Sequence, residues 1–470
     1  MNTSAVPLHE LSAVELTGLV RRREVSASEV MRAFLDRVEA CNPLVNAIVS
    51  AAPGQALAGA ADVDRRLARG EDPGVLCGLP IAIKDLEDAA GIPTSHGSPI
   101  HAGHVPAHDS PMVASVKRAG AVVIGKTNVP EFAVGSHTFN EVFGVTRNPY
   151  DLSRSAGGSS GGAAAAVAAG MLPFADGSDT GGSLRNPASF CNLVALRPSL
   201  APPAVLDGCD RPSEQGVLGP IARSVADLRL LLRAVPVPYE RVPRVTNIDD
   251  DAPWDLRGLR VAWSDDWGGL PVDPAVRAVL DRCRQTLIDL GCRVEEQAPG
   301  LGEADEVFET LRADSFATEF GPLVDSHSPL LKETIRQNAE QGRHQTAEQV
   351  SRARKLRAEL FGRTRELLTR YDVLAGPTVL VPPFPVEWEW PTAIDGRPMA
   401  DYLEWMRACT RITATLHPAL SVPGGFTPEG LPVGLQLVGR YRGEAPLLGF
   451  AEAFETATGY GNRRPALPTA

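Results

Sequence analysis

Residues 157–199 open with Gly157-Gly158-Ser159-Ser160-Gly161-Gly162, pass through the alanine-rich run Ala163–Gly170 and an apolar turn, and reach Asp179-Thr180-Gly181-Gly182-Ser183. A flexible linker would be dense in Gly and Ser, but it would not enclose a run composed like a buried helix. Gly157-x-Ser159-x-Gly161 and Gly158-x-Ser160-x-Gly162 both match the nucleophile-elbow pattern, which needs a buried strand directly before it. The preceding residues, Arg147 to Arg154, are polar and contain Pro149, so that strand is not expected. A P-loop fails because no Gly-Lys-Ser/Thr closes either cluster. The remaining reading is one acyl-transfer site. Glycine permits unusual backbone angles, so the amides of Thr180, Gly181, Gly182 and Ser183 can point into one space. That is what an oxyanion hole requires, with the Ser183 hydroxyl adjacent as nucleophile.

Outward from this stretch, helix and strand signals alternate. Pro111–Ala119, Gly120 and Ala121–Gly125 read as helix, cap and buried strand. The same grammar recurs as the strand Gly258–Trp263, the helix Pro274–Leu290, the cap Gly291 and the strand Cys292–Glu296. Such βαβ-like units predict an α/β protein with at least partly parallel pairing. Ala419–Val422 and Leu431–Val438 read as core strands, and residues 11–41 as helices with Ser26 and Ser28 as capping residues. Residues 201–255, rich in Pro and acid, read as a connecting loop, and 303–370 as a helical layer over the sheet. One large domain over 1–470 is expected, with a helical segment at about 8–60 and a catalytic core at about 61–200. A variable, substrate-shaping region follows at about 201–410, and C-terminal core strands at about 411–470.

The chain has 470 residues, with 46 Lys+Arg against 57 Asp+Glu and a formal charge of −11, which argues against nucleic acid as a partner. Seven scattered cysteines, an odd number without a CxxC pair, argue against a disulfide framework or zinc ribbon. No apolar run reaches the roughly 18 residues of a membrane span, and the first residues lack the pattern of a secretory signal. A cytoplasmic protein is the expectation. Only five of the 46 cations are lysines: Lys84, Lys117, Lys126, Lys332 and Lys355. Lys84 ends the apolar stretch Gly78-Leu79-Pro80-Ile81-Ala82-Ile83. It could simply extend its ammonium out of a strand end. Where arginine is the default cation, however, a lysine there suggests a need arginine cannot meet, since a desolvated lysine can lose its proton. To serve as a base near neutrality it must fall well below its reference pKa of ~10.4.

The chain resembles the amidase signature family of serine hydrolases. The resemblance rests on residues 157–199, GLPIAIKDLEDAAGIPTSHGS from Gly78, GAVVIGKTNVPEF from Gly120, TRNPYDLSRSAGG from Thr146, and HPALSVPGGFTPEGLPVGLQLVGR from His417. It is weakest at 201–255 and 300–370. It implies a central mixed β-sheet covered by helices on both faces, and a Ser–Ser–Lys triad whose middle serine follows a cis peptide. Carried over, Lys84 is the base, Ser159 the relay and Ser183 the nucleophile. Thr180, Gly181, Gly182 and Ser183 would supply the oxyanion-binding amides, Asp179 and Arg185 would form a supporting pair, and Ser160 would be structural. Departures are Ser178, Asn192, Ala195 and Arg197 where Thr, Gly, Gly and Lys are expected, and Ser155-Ala156 before the glycines.

Other candidates are weaker. His101, His104 and His108 precede Asp109 but follow no common metal spacing. Trp388, Trp390, Tyr402 and Trp405 could wall a pocket or pack a core, and Cys191 and His417 read as packing residues. The resemblance implies a small-molecule amide as substrate, no cofactor, no metal, no membrane, and leaves a homodimer open. Three functions are carried forward: a freestanding hydrolase of carboxylic amides, with anilides, esters or carbamates as further substrates; the glutamine-hydrolysing subunit of a tRNA-dependent amidotransferase; and a catalytically inactive scaffold.

Overall fold

The apolar runs form two strand systems in the computed structural model, which describes residues 6–200, 215–234 and 254–468. Strands β1 (Pro80–Lys84) and β2 (Val122–Thr127) pair in parallel as a separate ribbon. The remaining long strands are β3 (Phe174–Asp179), β4 (Val194–Arg197), β5 (Val217–Ala222), β6 (Arg260–Trp263), β7 (Arg293–Glu296), β8 (Val373–Pro377), β9 (Ala419–Phe426) and β10 (Pro432–Val438). They form one eight-stranded sheet in the order β7-β6-β8-β10-β9-β4-β5-β3. Pairing is parallel at β6–β7 and β6–β8 and antiparallel elsewhere, so the sheet is mixed. The ribbon packs beside edge strand β3. Helices cover both faces, as expected, and no helix among the described residues is long and apolar enough to cross a membrane.

The βαβ unit read at 258–296 is present as β6, the helix Pro274–Asp289 and β7. The layer at 303–370 consists of the helices Ala304–His327, Glu333–Arg343 and Ala347–Arg370. Ser26 caps its helix in a reciprocal box with Glu29, whereas Ser28 donates to Asp64 Oδ2 at 2.5 Å.

Two readings change. Within 201–255, expected to be loop, residues 217–222 are β5 and 225–232 a helix; residues 201–214 and 235–253 lie outside the described residues. Gly219 and Pro220 mask the strand in the sequence. A Cβ at Gly219 would lie 2.2 Å from the Leu196 carbonyl oxygen, so the glycine is what lets β5 lie against β4. A strand also precedes the first glycine cluster, at Asp151–Ser155, but it pairs with Arg147–Asn148 in a hairpin outside the main sheet. It is therefore not the central strand that an elbow would need.

The helix Gly161–Ala168 is buried on every side, which explains its nearly unbroken alanine and glycine. A Cβ on Gly162 would sit 2.3 Å from the Asn128 nitrogen and 2.6 Å from its oxygen, both backbone atoms beside β2. Gly162→Ala should therefore lower stability by at least ~1–3 kcal/mol, the usual range for overpacking. Denaturant unfolding checks this; an unchanged midpoint would contradict the packing described.

Candidate active site

Every residue of β1 is buried, so the chain delivers Lys84 to the protein interior rather than to its surface. The Lys84 backbone N–H donates to the Asp176 carboxylate of β3 at 3.0 Å, tying the ribbon to the sheet edge. The Lys84 Nζ lies 2.8 Å from Ser159 Oγ, 2.9 Å from Ser160 Oγ and 2.8 Å from Ser178 Oγ. Its side chain is 1% exposed. Burial pushes its pKa down to about 7, against the fields of Asp176, Asp179 and Glu87, which favour the proton. Burial likewise pushes Asp176 up to about 7, although the Lys84 N–H stabilises its ionised form. The peptide between Gly158 and Ser159 is cis, as expected from the resemblance.

Ser183 follows β3 through the loop Thr180–Gly182 and lines the same cavity as Ser159, of about 460 Å³. Its hydroxyl makes no hydrogen bond to Ser159 Oγ, while its carbonyl accepts from the Ser160 N–H at 3.1 Å. The Gly182 N–H donates to Asp179 Oδ1 at 2.8 Å, and the Leu184 N–H to Asp179 Oδ2 at 3.2 Å. Of the four amides expected to hold an oxyanion, those of Thr180, Gly181 and Ser183 thus have no acceptor among the described residues, while that of Gly182 is engaged.

Asp179 is the anchor of this loop. Arg185 grips it with Nε to Oδ2 and Nη2 to Oδ1, each at 2.9 Å. Arg185 in turn donates to Gln436 Oε1 at 2.7 Å and Thr413 Oγ1 at 2.8 Å, which connects the loop to β10 and the helix Arg407–Ala414. Arg197 adds a second guanidinium, bonded to the Asp179 carbonyl and to the Gln215 carbonyl at 2.8 Å. Burial alone would raise the Asp179 pKa, but the paired arginines outweigh it and hold the carboxyl well below the usual range. The same burial lowers Arg197 to about 10.

Several candidates lie apart from this cluster. His101 packs edge-on against His96 and Phe132, and among the described residues no three His, Cys, Asp or Glu side chains are grouped as a metal would need. The aromatic group divides: Tyr402 lines the cavity, Trp405 is buried against Phe190 and Phe384, and Trp388 and Trp390 flank a separate surface depression. His417 is buried with Nδ1 on the Thr415 carbonyl, and Cys191 is buried with its thiol pushed up by desolvation. Lys126, which the sequence marks only as part of a motif, proves to be a second buried lysine, bonded to Thr94 Oγ1 at 3.1 Å and the Glu87 carbonyl. Sequence reasoning sets Ser160 aside as structural, marks Ser178 and Arg197 only as departures, and misses Asp176. The departures at 178 and 197 are the available signal.

A mixed-sheet α/β fold around a hydroxyl-rich cavity is the framework of an amide-hydrolysing enzyme. A family model described as Amidase matches residues 29–448, and the chain belongs to this family, the amidase signature enzymes. It is similar to an acylamidase of Rhodococcus erythropolis, 35% identical over 98% of both chains. It is also similar to a glutamyl-tRNA(Gln) amidotransferase subunit of Moorella thermoacetica, 37% identical over 98% of this chain and 100% of that one. Among solved structures, a bacterial aryl acylamidase of the amidase signature family matches with a TM-score of 0.89 and 26% identity, covering 99% of this chain and 100% of that one.

Asp179→Asn would leave two buried guanidiniums against a neutral amide, and should destabilise the protein by ~3–5 kcal/mol, as for other broken buried pairs. Chemical denaturation measures this. A loss below ~1 kcal/mol, the range of exposed pairs, would remove Asp179 from its place as anchor.

Proposed function

We propose that the chain is a freestanding hydrolase of carboxylic amides that works through an acyl-enzyme, with Ser183 as nucleophile, Ser159 as relay and Lys84 as base. Anilides, esters and carbamates fall within the same chemistry. The observation that carries this reading is the 2.8 Å contact between a fully buried lysine amine and Ser159, in a cavity that Ser183 also lines.

The geometry supports the following steps. A neutral Lys84 accepts the Ser159 proton as Ser159 takes the one on Ser183, and the Ser183 oxygen bonds to the amide carbon. Relay demands that Ser183 turn toward Ser159, a hydrogen bond of the kind that commonly tightens only with substrate in place. The amides of Thr180, Gly181 and Ser183 receive the developing oxyanion, and Gly182 serves by pinning the loop to Asp179. When the carbon–nitrogen bond breaks, the proton returns through Ser159 to the leaving amine. Water then attacks the ester by the same route, regenerating Ser183 and releasing the acid.

A second reading is supported by the full-length similarity to an amidotransferase subunit. Turnover of a simple aryl amide by the purified chain supports the freestanding hydrolase. Hydrolysis of glutamine alone, and only with partner chains added, supports the other. The intact Lys84, Ser159 and Ser183 weigh against an inactive scaffold.

Ser183→Ala should abolish labelling by a fluorophosphonate probe and lower kcat by roughly 10⁴-fold or more. Near-normal turnover in that variant would overturn the assignment. Because the base must be neutral, kcat/KM should rise with pH through about 7, as Lys84 loses its proton, and fall away below it. In Lys84→Ala the residual activity should need higher pH; a profile unchanged from wild type would remove Lys84 from the relay.

A further inference from the structure

The helix Ala304–His327 presents one face to the cavity: Phe308, Arg312, Ser315, Phe316, Glu319 and Phe320, a helical spacing along about three turns. Arg312 is the unusual member. It is 7% exposed, and its hydrogen-bond partners are neutral: Nη1 donates to Asn338 Oδ1 and Nη2 to the Tyr402 hydroxyl. Its guanidinium carbon lies 3.9 Å from the Phe316 ring centroid. It forms no ion pair with any described residue. The carboxylates whose fields reach it are engaged elsewhere: Glu309 pairs with Arg407 at 3.2 Å, and Asp401 accepts the N–H groups of Leu403 and Glu404. By contrast, Arg185 and Arg411, also deeply buried, hold Asp179 and Asp305 directly.

A guanidinium has five N–H donors, and these bonds occupy two of them. A buried cation without a counter-ion is costly, and ring stacking together with neutral acceptors offsets only part of that cost. The other charged groups on the cavity wall are Glu87, whose field reaches Lys84, and Glu319. Glu319 is seven residues from Arg312 along the helix, or about 10 Å at 1.5 Å per residue. The two acids therefore leave Arg312 as the place where a negative group is favoured. The rings of Phe308, Phe316 and Tyr402 supply the apolar walls that orient a ligand's carbon frame beside it.

We propose that the substrate of this site carries a carboxylate on the half of the amide that lies against the Ala304–His327 helix, where Arg312 pairs with it. The substrate class is then an amide with an acidic arm, such as an N-acyl amino acid or a carboxylated anilide, rather than a wholly neutral amide. This rests on the reading of the cavity as the amide-cleaving site.

Two matched pairs of anilides test it: succinic acid monoanilide against its terminal carboxamide, with the charge on the acyl arm, and 4-acetamidobenzoate against 4-acetamidobenzamide, with the charge on the ring. In at least one pair the acid should have kcat/KM roughly 30-fold above its carboxamide, carried mainly by KM, as expected for a desolvated charge pair. Arg312→Gln should collapse that ratio toward one, and Arg312→Lys, which keeps the charge without the fork, should retain part of it. Carboxamides turned over as well as the acids in both pairs, or a preference that persists in Arg312→Gln, would overturn the proposal. If Arg312→Gln fails to fold, the wild-type ratio decides. Calorimetric binding of the same four compounds to Ser183→Ala separates the two claims. Selective binding of an acid without hydrolysis by the wild type would keep the carboxylate site and refute the amidase mechanism. Hydrolysis without selectivity would do the reverse.

Discussion

The structure depends on keeping one lysine amine dry and surrounded by hydroxyls. Lys84 reaches the interior on β1, and each neighbouring hydroxyl comes from a segment of the glycine–serine stretch: Ser159 and Ser160 from the loop, Ser178 from β3. The loop and β3 approach this closely because glycines stand at their contacts. A Cβ at Gly161 would come within 2.3 Å of Thr138 Oγ1, and one at Gly177 within 2.8 Å of Ser160 Oγ. The glycine density that first suggests a linker is thus a packing requirement of the buried amine. With no carboxylate in contact with Nζ, desolvation prevails over the more distant acids and the ammonium loses its usual advantage.

Strand β3 separates two electrostatic tasks by its alternation. Asp176 and Ser178 project to the side of Lys84, while Asp179 projects to the side of Arg185 and Arg197. On the first side no carboxylate touches the Lys84 amine, and burial lowers its pKa against the more distant acids. On the second, one carboxylate is matched by two guanidiniums and two backbone N–H groups, so that it stays ionised and its loop stays fixed. A single residue's slip in the register of β3 would exchange these sides and place the anchor beside the base. The antiparallel pairing of Phe174–Asp179 with Val217–Ala222 fixes that register.

What is legible in the sequence is local. Lysine scarcity makes Lys84 conspicuous, the clusters around Ser159 and Ser183 enclose a run composed like a buried helix, and the β6–helix–β7 unit has a clear change of period. What stays hidden depends on which distant segments meet. Val217–Ala222 reads as loop because Gly219 and Pro220 are turn residues in isolation, and only the approach of Leu196 gives the glycine its role. Trp388, Trp390, Tyr402 and Trp405 are neighbours in sequence but divide among surface, cavity and core. Asn192, at a position where glycine is expected, takes φ +56°, a left-handed conformation that asparagine tolerates. Arg312 carries no sequence signal, since an arginine in a charged helix is indistinguishable from a surface cation until its neighbours are known.

The cavity floor and wall come from different parts of the chain, yet they are not independent. Residues 86–183 supply Ser159, Ser178, Ser183 and the loop between the last two, whereas the Ala304–His327 helix, Tyr402 and Met406 supply a wall. They meet at Gly181, where a Cβ would lie 3.0 Å from both Phe308 Cζ and Met406 Cε. The wall therefore rests on the loop that precedes Ser183. Phe308 is common to both: it packs over Gly181 and stands one helical turn from Arg312 on the same wall. A carboxylate paired with Arg312 on the proposed reading is held alike in the ground and transition states, so the pair lowers KM rather than raising kcat.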